Sequence, residues 1–282
     1  MKLTKNIITS IMANEDYGVC YEPIVDVKSM QTVAYEALSR FKNGNKNIAP
    51  NIFFKSLHED LELFFYMESI IKKFQIDNRP KDKKLFLNLD PDIAIKQTHV
   101  FHWIDLFSLD EDIVIEVIEN SNDENIEHIE YFIDWMKEYK IKFAYDDLLK
   151  PNCLFIDSIL KDASILKFDI NFIQTVREDK AYMEIVKGYV NYANKSNKQT
   201  IMEGIETEND LEIAKEIGVC FVQGYLFKDK FIKHWKNQKN VSAVNPSKKI
   251  DKPNISASLY HEDNIIDYEI IEKLGELESE IT

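Results

Sequence analysis

Six short apolar runs in this chain each end on, or beside, a polar residue of a kind seldom buried without a partner: Asn88, Glu116, Asp146, Lys167, Glu203 and Gln223. The runs are Leu85 to Asn88, Ile113 to Glu116, Phe143 to Asp146, Ile165 to Lys167, Thr200 to Glu203 and Phe221 to Gln223, all short enough for buried parallel strands. Between them, stretches such as 125–140 and 181–193 carry apolar residues at helical spacing, among them Ile129, Phe132, Ile133 and Met136. Alternating strand and helix builds right-handed βαβ units. When such units close into a barrel, the places where strands end and loops begin form one rim, and ligands bind there. The pattern predicts an α/β barrel with its chemistry on that rim.

With 282 residues, 45% of them hydrophobic, the chain can bury one large barrel core and still carry an appendage. Residues 1–236 are assigned to the barrel, opening with a short helix over the first fifteen or so. Val19 to Val27 and Gln31 to Ser39 read as strands separated by Lys28-Ser29-Met30, a link of hairpin length that makes this first pair antiparallel. Ile52 to Phe74, entered through Pro50-Asn51, reads as one long helix covering the barrel. Residues 237–282 are assigned to a polar linker and a short acidic helix, in which Ile266, Ile270, Leu274 and Leu277 recur at helical spacing. That helix could dock on the barrel, pair with another chain or protein partner, or fray.

A formal net charge of −14 argues against broad electrostatic binding to duplex nucleic acid, which depends on clustered Lys and Arg. An anionic ligand would need local help from a cation. The cysteines Cys20, Cys153 and Cys220 are far apart and form no CxxC pair, so neither a disulfide framework nor a thiolate zinc site is expected. No window has the length and apolarity of a membrane span or signal peptide, and a cytoplasmic location is expected.

The rim residues have a common chemistry. Glu36 ends the second strand, and with Asn88, Glu116, Asp146, Asp147 and Glu203 it makes an all-oxygen set suited to hard divalent cations such as Mg²⁺ or Mn²⁺. Adjacent aspartates at a strand end repel each other unless a cation neutralises them, and a carboxylate bridging two ions is the usual arrangement for in-line phosphoryl displacement. Lys167 stands among these acids, where it could orient an attacking water, hold a phosphate oxygen, or serve only as a structural ion pair. Arg40, four residues past Glu36, can clamp a phosphate. Glu119 and Glu206 follow a first glutamate by three positions, Glu119 as outer support for a ligand and Glu206 to hold its loop or touch substrate. None of the six histidines falls on a strand end, and none is assigned to a metal.

From about Tyr21 to Phe231 the chain resembles the EAL domain family, bacterial phosphodiesterases that hydrolyse cyclic di-GMP to linear pGpG with Mg²⁺ or Mn²⁺. Tyr21-Glu22-Pro23-Ile24-Val25-Asp26 is similar to the family's YQPIVD, Glu36-Ala37-Leu38 to its EAL, Glu116 to Glu119 to its ExTE, and Asp146-Asp147 to its DDFG. Lys167-Phe168-Asp169 is similar to KxD, Glu203 to Thr207 to EGVET, and Gln223 to Phe227 to QGYLF. The resemblance implies a TIM-like (β/α)8 barrel with an antiparallel first strand. It implies one metal on Glu36, Asn88, Glu116 and Asp146 and another on Asp146, Asp147 and Glu203. It further implies catalytic roles for Lys167, Glu203 and Glu36, and substrate contacts by Arg40, Gln223, Glu206 and Asp169. Many members dimerise through the segment after the double aspartate, so a homodimer is a further expectation.

Two departures matter. In place of the family's DDFGTGYSS the chain has Asp147-Leu148-Leu149-Lys150-Pro151-Asn152-Cys153, without its glycines, and a loop that bends differently could misplace Asp147 and weaken the second metal. Glu22 replaces the usual glutamine and puts a negative charge where guanine or phosphate would lie. These features support a second reading, a catalytically weak or inactive EAL domain acting as a cyclic di-GMP receptor or a protein-interaction module.

Overall fold

Residues 27–31 are too few for a crossover, so β1 (Tyr17–Asp26) and β2 (Thr32–Asn43) lie antiparallel, paired from Tyr17 opposite Phe41 to Val25 opposite Thr32 with a register shift between Ile24 and Val25. Asp26 shapes the turn: its Oδ1 accepts hydrogen bonds from the Ser29 amide and hydroxyl, each at 2.7 Å, and Met30 takes a φ of 57°. The computed structural model describes residues 2–108, 110–117, 126–151 and 155–237. Glu119, Cys153 and the expected linker and tail helix beyond Asn237 lie outside them.

From β2 onward the ring strands run parallel: β4 (Lys84–Leu89), β5 (Ile113–Val117), β6 (Lys142–Leu148), β7 (Ile165–Phe168), β8 (Gln199–Met202) and β9 (Phe221–Val222). β1 then pairs with β9 as well, again antiparallel, through Val25 opposite Val222 and Asp26 opposite Phe221. Eight described strands therefore close into a barrel in which only β1 runs against the rest, as the hairpin spacing implies. Two short strands sit outside the ring. β3 (Lys46–Ile48) prolongs the hairpin on β2, and β10 (Ile232–Trp235) lies beside the first half of β1.

Helices α1 (Lys5–Ala13), α2 (Pro50–Leu57), α3 (Leu61–Asp77), α4 (Gln97–Phe107), α5 (Ile126–Glu138), α6 (Asp157–Asp162), α7 (Ile170–Glu178), α8 (Met183–Lys195) and α9 (Glu208–Ile217) accompany the strands. The single helix expected over Ile52 to Phe74 is a correction: it is two helices, broken at His58-Glu59-Asp60. Asp60 causes the restart by accepting from the Leu63 amide at 3.0 Å, which satisfies one of the donors a helix N-terminus leaves open. Among the described residues, no helix is long and apolar enough to cross a membrane.

Strand side chains alternate between faces, so each ring strand sends one set inward and one outward. The outward set packs with the helices into the main core. Inside the ring, Ile24, Ala34, Phe86, Val114, Ala144, Ile165 and Ile201, one from each of seven strands, pack as a separate apolar layer with Phe221 of β9 against it. This layer is the floor of the site.

Candidate active site

Two residues beyond each floor residue, toward the carboxyl ends of the parallel strands, lie Glu36, Asn88, Glu116, Asp146, Lys167, Glu203 and Gln223. On β1, which runs the other way, the equivalent position is two residues before Ile24 and holds Glu22, directly opposite Glu36. The period of two alone stacks one polar side chain from every strand onto the floor. Sequence reading reached seven of these eight positions. Glu22 was noted only as an unusual charge, although its distance from Ile24 carried the same signal.

Lys167 is fully buried and collects four carboxylates. Its Nζ lies 2.7 Å from Glu203 Oε1, 3.0 Å from Asp146 Oδ1 and 3.5 Å from Glu36 Oε2, and it also pairs with Glu116 Oε1. Asn88 ties two of the acids together, its Nδ2 donating to Glu36 Oε1 at 3.1 Å and Glu116 Oε2 at 2.9 Å. Gln223 Nε2 donates to Glu36 Oε2 at 2.5 Å, while Gln223 Oε1 is buried with no hydrogen-bond partner.

One ammonium does not neutralise this many acids. Burial pushes the Glu203 carboxyl up to about 8 despite Lys167, with Asp146 adding repulsion. Burial likewise lifts Asp146 to about 6, Glu22 to about 7 and Glu116 well above its ordinary value. Burial alone would lift Glu36 too, but Lys167, Gln223 and Asn88 hold it below its ordinary value. Burial disfavours the Lys167 cation, yet Asp146, Glu116, Glu203 and Glu36 together hold its proton far more tightly than usual. Acids raised this far hold protons that further cations would displace.

The residues present fit divalent ions. Asp146, Asp147 and Glu203 each offer an oxygen, and these atoms lie within 4.8 Å of one another. The donors are carboxylates with an amide at Asn88, a hard set for a hard cation. A cavity of about 350 Å³ opens onto them, lined by Glu22, Glu36, Asp146, Glu203, Gln223 and Tyr225 among others.

Asp147 stands at the edge of the cluster, at the start of the altered loop. Without glycine, the loop takes left-handed backbone at Asp147, with a φ of 54°, and at Leu149, with a φ of 70°, and the Asp147 carboxylate still reaches the cluster. It also pairs with Lys150. Two glycines set the opposite wall. A Cβ on Gly204, at a φ of 72°, would fall 2.2 Å from Ile170 Cγ1, and one on Gly224 would fall 2.4 Å from the Ile205 backbone nitrogen and oxygen. That approach lets the Ile205 amide donate to the Gln223 carbonyl at 3.1 Å, which seats Gln223.

Three expected substrate residues stand further out. Arg40 lies on the Glu36 face of β2, four residues along, and its Nη1 donates to the Ser39 carbonyl at 2.9 Å. Glu206 lines the cavity, and its exposed carboxylate lies 3.7 Å from Arg177 Nη2. Asp169 is buried as the cap of α7, accepting from the Asn171 amide at 2.8 Å.

The family model for the EAL domain matches residues 5–229, and the chain belongs to the EAL domain family. Among curated proteins it is similar to the cyclic di-GMP phosphodiesterase TpdA of Vibrio parahaemolyticus, 24% identical over 78% of this chain and 38% of that protein. The chain thus spans well under two thirds of that relative's length. Among solved structures it resembles an EAL domain protein from Listeria monocytogenes, with a TM-score of 0.66 and 22% identity over 80% of this chain and 93% of that one. It also resembles YkuI of Bacillus subtilis, solved with cyclic di-GMP and calcium, with a TM-score of 0.63 and 18% identity over 95% of this chain and 62% of that one. These likenesses show the fold, the closed barrel derived above.

Proposed function

We propose that the protein is a divalent-metal-dependent phosphodiesterase that hydrolyses cyclic di-GMP to linear pGpG. The observation that carries this reading is the polar layer itself: one side chain from every strand, four carboxylates on a buried lysine, and a cavity above them. Glu36, Asn88, Glu116 and Asp146 would hold one Mg²⁺ or Mn²⁺, and Asp146, Asp147 and Glu203 a second. Bound there, such ions supply charge for the phosphoryl oxygens and lower the pKa of a bound water. Support for the substrate comes from the relatives, since TpdA carries the name of a cyclic di-GMP phosphodiesterase and YkuI was solved with the same nucleotide.

Hydrolysis adds a water oxygen to phosphorus as the P–O3′ ester bond breaks, with one proton leaving the water and one reaching the O3′. Lys167 keeps its proton under four acids, so it acts as a fixed cation that orients water and stabilises charge growing on the phosphate. Glu203, with its side chain 20% exposed, is the carboxylate of the lysine cluster most open to the cavity and takes the place beside the attacking water. Glu36 is held by Asn88 and Gln223 in one orientation, which suits a ligand that must not move. Arg40 and Gln223 bind the diester, Glu206 meets it at the rim, and Asp169 holds the strand end that carries Lys167. Incubating the purified protein with cyclic di-GMP and Mn²⁺, Mg²⁺ or EDTA tests the proposal. Metal-dependent pGpG is expected, and untouched nucleotide after hours at micromolar enzyme would overturn it.

A receptor that binds without turnover is favoured by one observation, the Lys150 ammonium on the very carboxylate a second ion would use. Calorimetry with metal present separates the two: tight binding with no product supports the receptor, and absent binding removes it.

A further inference from the structure

Away from the barrel mouth, His58, Asp90 and Asp92 bring one nitrogen and two carboxylate oxygens within 4.8 Å of one another. His58 ends α2, while Asp90 and Asp92 lie in the turn that follows β4. Their spacing suits a shared ion. His58 Nε2 is 3.0 Å from Asp90 Oδ2 and 3.9 Å from Asp92 Oδ2. Ligand atoms on one tetrahedral ion with bonds of about 2.0–2.2 Å stand roughly 3.3–3.6 Å apart, between those two values.

Each of these groups is oriented by its other polar atom. His58 Nδ1 is 3.0 Å from the Phe54 carbonyl, which can only accept, so Nδ1 carries a proton and Nε2 is the atom turned to the acids. Asp90 spends Oδ1 on the Asp92 amide at 3.0 Å and turns Oδ2 to the cluster. Asp92 Oδ1 lies 3.2 Å from His128 Nδ1 on α5, leaving Oδ2 on the His58 side. Inner atoms backed by outer partners are the arrangement that fixes metal ligands. The Nε2 of His58 faces both acids across one shared space. A proton serves His58 and Asp90 alone, whereas a divalent ion serves all three.

We propose that His58, Asp90 and Asp92 bind a transition ion of the zinc class, with His128 orienting Asp92 and water completing the coordination. An imidazole in the set favours such ions over Mg²⁺ or Ca²⁺, in contrast to the all-oxygen barrel mouth. The ion joins α2, the end of β4 and, through His128, α5. Asp90 is two residues beyond Asn88, so occupancy anchors the strand end that presents Asn88 to the mouth. This inference is independent of the hydrolytic reading.

The test uses the EDTA-treated full chain and Zn²⁺ alone, followed by calorimetry and thermal unfolding, in the wild type, His58→Gln and Asp92→Asn. The wild type is expected to bind Zn²⁺ with a raised Tm, and both variants to lose at least about 10-fold in affinity with an unchanged circular dichroism spectrum. Zinc-edge anomalous density beside His58 Nε2 in Zn²⁺-soaked crystals is the second expected result, and it keeps the test open should a variant fail to fold. Equal isotherms in all three proteins, no Zn²⁺ binding by the wild type, or zinc density confined to the barrel mouth would each overturn the assignment.

Discussion

Lys167 Nζ lies 2.7 Å from Glu203 Oε1, on neighbouring strands, yet the lysine side chain has no exposure and the glutamate has 20%. The pair divides the layer into a closed side and an open one. Lys167 is the fixed countercharge of the polar layer, and Glu203 is its most open carboxylate among the four on the lysine.

Replacing Lys167 with Met leaves four acids without their shared cation. A loss of about 3–5 kcal/mol is expected, the cost typical of removing one partner from a buried ion pair. Urea unfolding measures it, and stability within 1 kcal/mol of wild type, on the order of surface-pair effects, would mean that the acids are already neutral.

Glu36→Ala removes a carboxylate common to the Lys167 cluster and the expected metal set. Turnover of cyclic di-GMP should fall by about 10²-fold or more with the fold retained, because reacting groups tolerate little misplacement. Product chromatography checks this, and wild-type rates would break the metal assignment.

Lys150→Ala removes the ammonium from Asp147. Since exposed pairs contribute up to about 1 kcal/mol, the Mn²⁺ concentration for half-maximal activity should fall by a few-fold. A metal titration of initial rates reads the shift, and a rise instead would assign Lys150 to substrate.

Asp210 makes one contribution to stability that depends on acid pH. Burial alone would raise its carboxyl, but Arg177, with Nε at 2.7 Å and Nη2 at 2.6 Å, and the Thr207 and Glu206 amides bring it down to about 2. A depressed folded-state pKa contributes stability in full above the unfolded value of about 3.9, and that contribution disappears as pH falls through about 2. The stability difference between wild type and Asp210→Asn should therefore be on the order of 2 kcal/mol at pH 7 and shrink between about pH 4 and 2. Unfolding curves across that range decide it, and a pH-independent difference would contradict the assignment.

Gly224→Ala drives a methyl into the Ile205 backbone. Stability should fall by about 1–3 kcal/mol and activity with it, because the Gln223 carbonyl is held by the displaced amide. Thermal unfolding with a parallel rate measurement tests both halves.

Much of this was legible in the sequence because strands repeat every two residues and the site sits one step above an apolar floor. Val114 then Glu116, or Ile165 then Lys167, states both layers in three letters. The hairpin was legible from the length of its link. The break at His58-Glu59-Asp60 was not, since apolar spacing continues across it and only the Asp60 cap marks the restart. β3 and β10 are short and take their meaning from partners far along the chain. The His58 and Asp90 contact joins residues from different elements, which no local pattern records. The loop after Asp147 was not legible either: Leu149, where the resemblance expects glycine, takes a left-handed φ of 70° that a residue list does not announce.

The pairing of the first ring strand with the last bears on biogenesis. Its partners are the second strand made and, across the seam at Val25 and Val222, the last strand of the ring. A nascent polypeptide therefore carries an open cylinder until almost the whole barrel has left the ribosome, and Glu22 cannot meet Gln223 before then. Neighbouring strands bring Asn88 beside Glu116 earlier, but Gln223 reaches Glu36 only when the ring is shut.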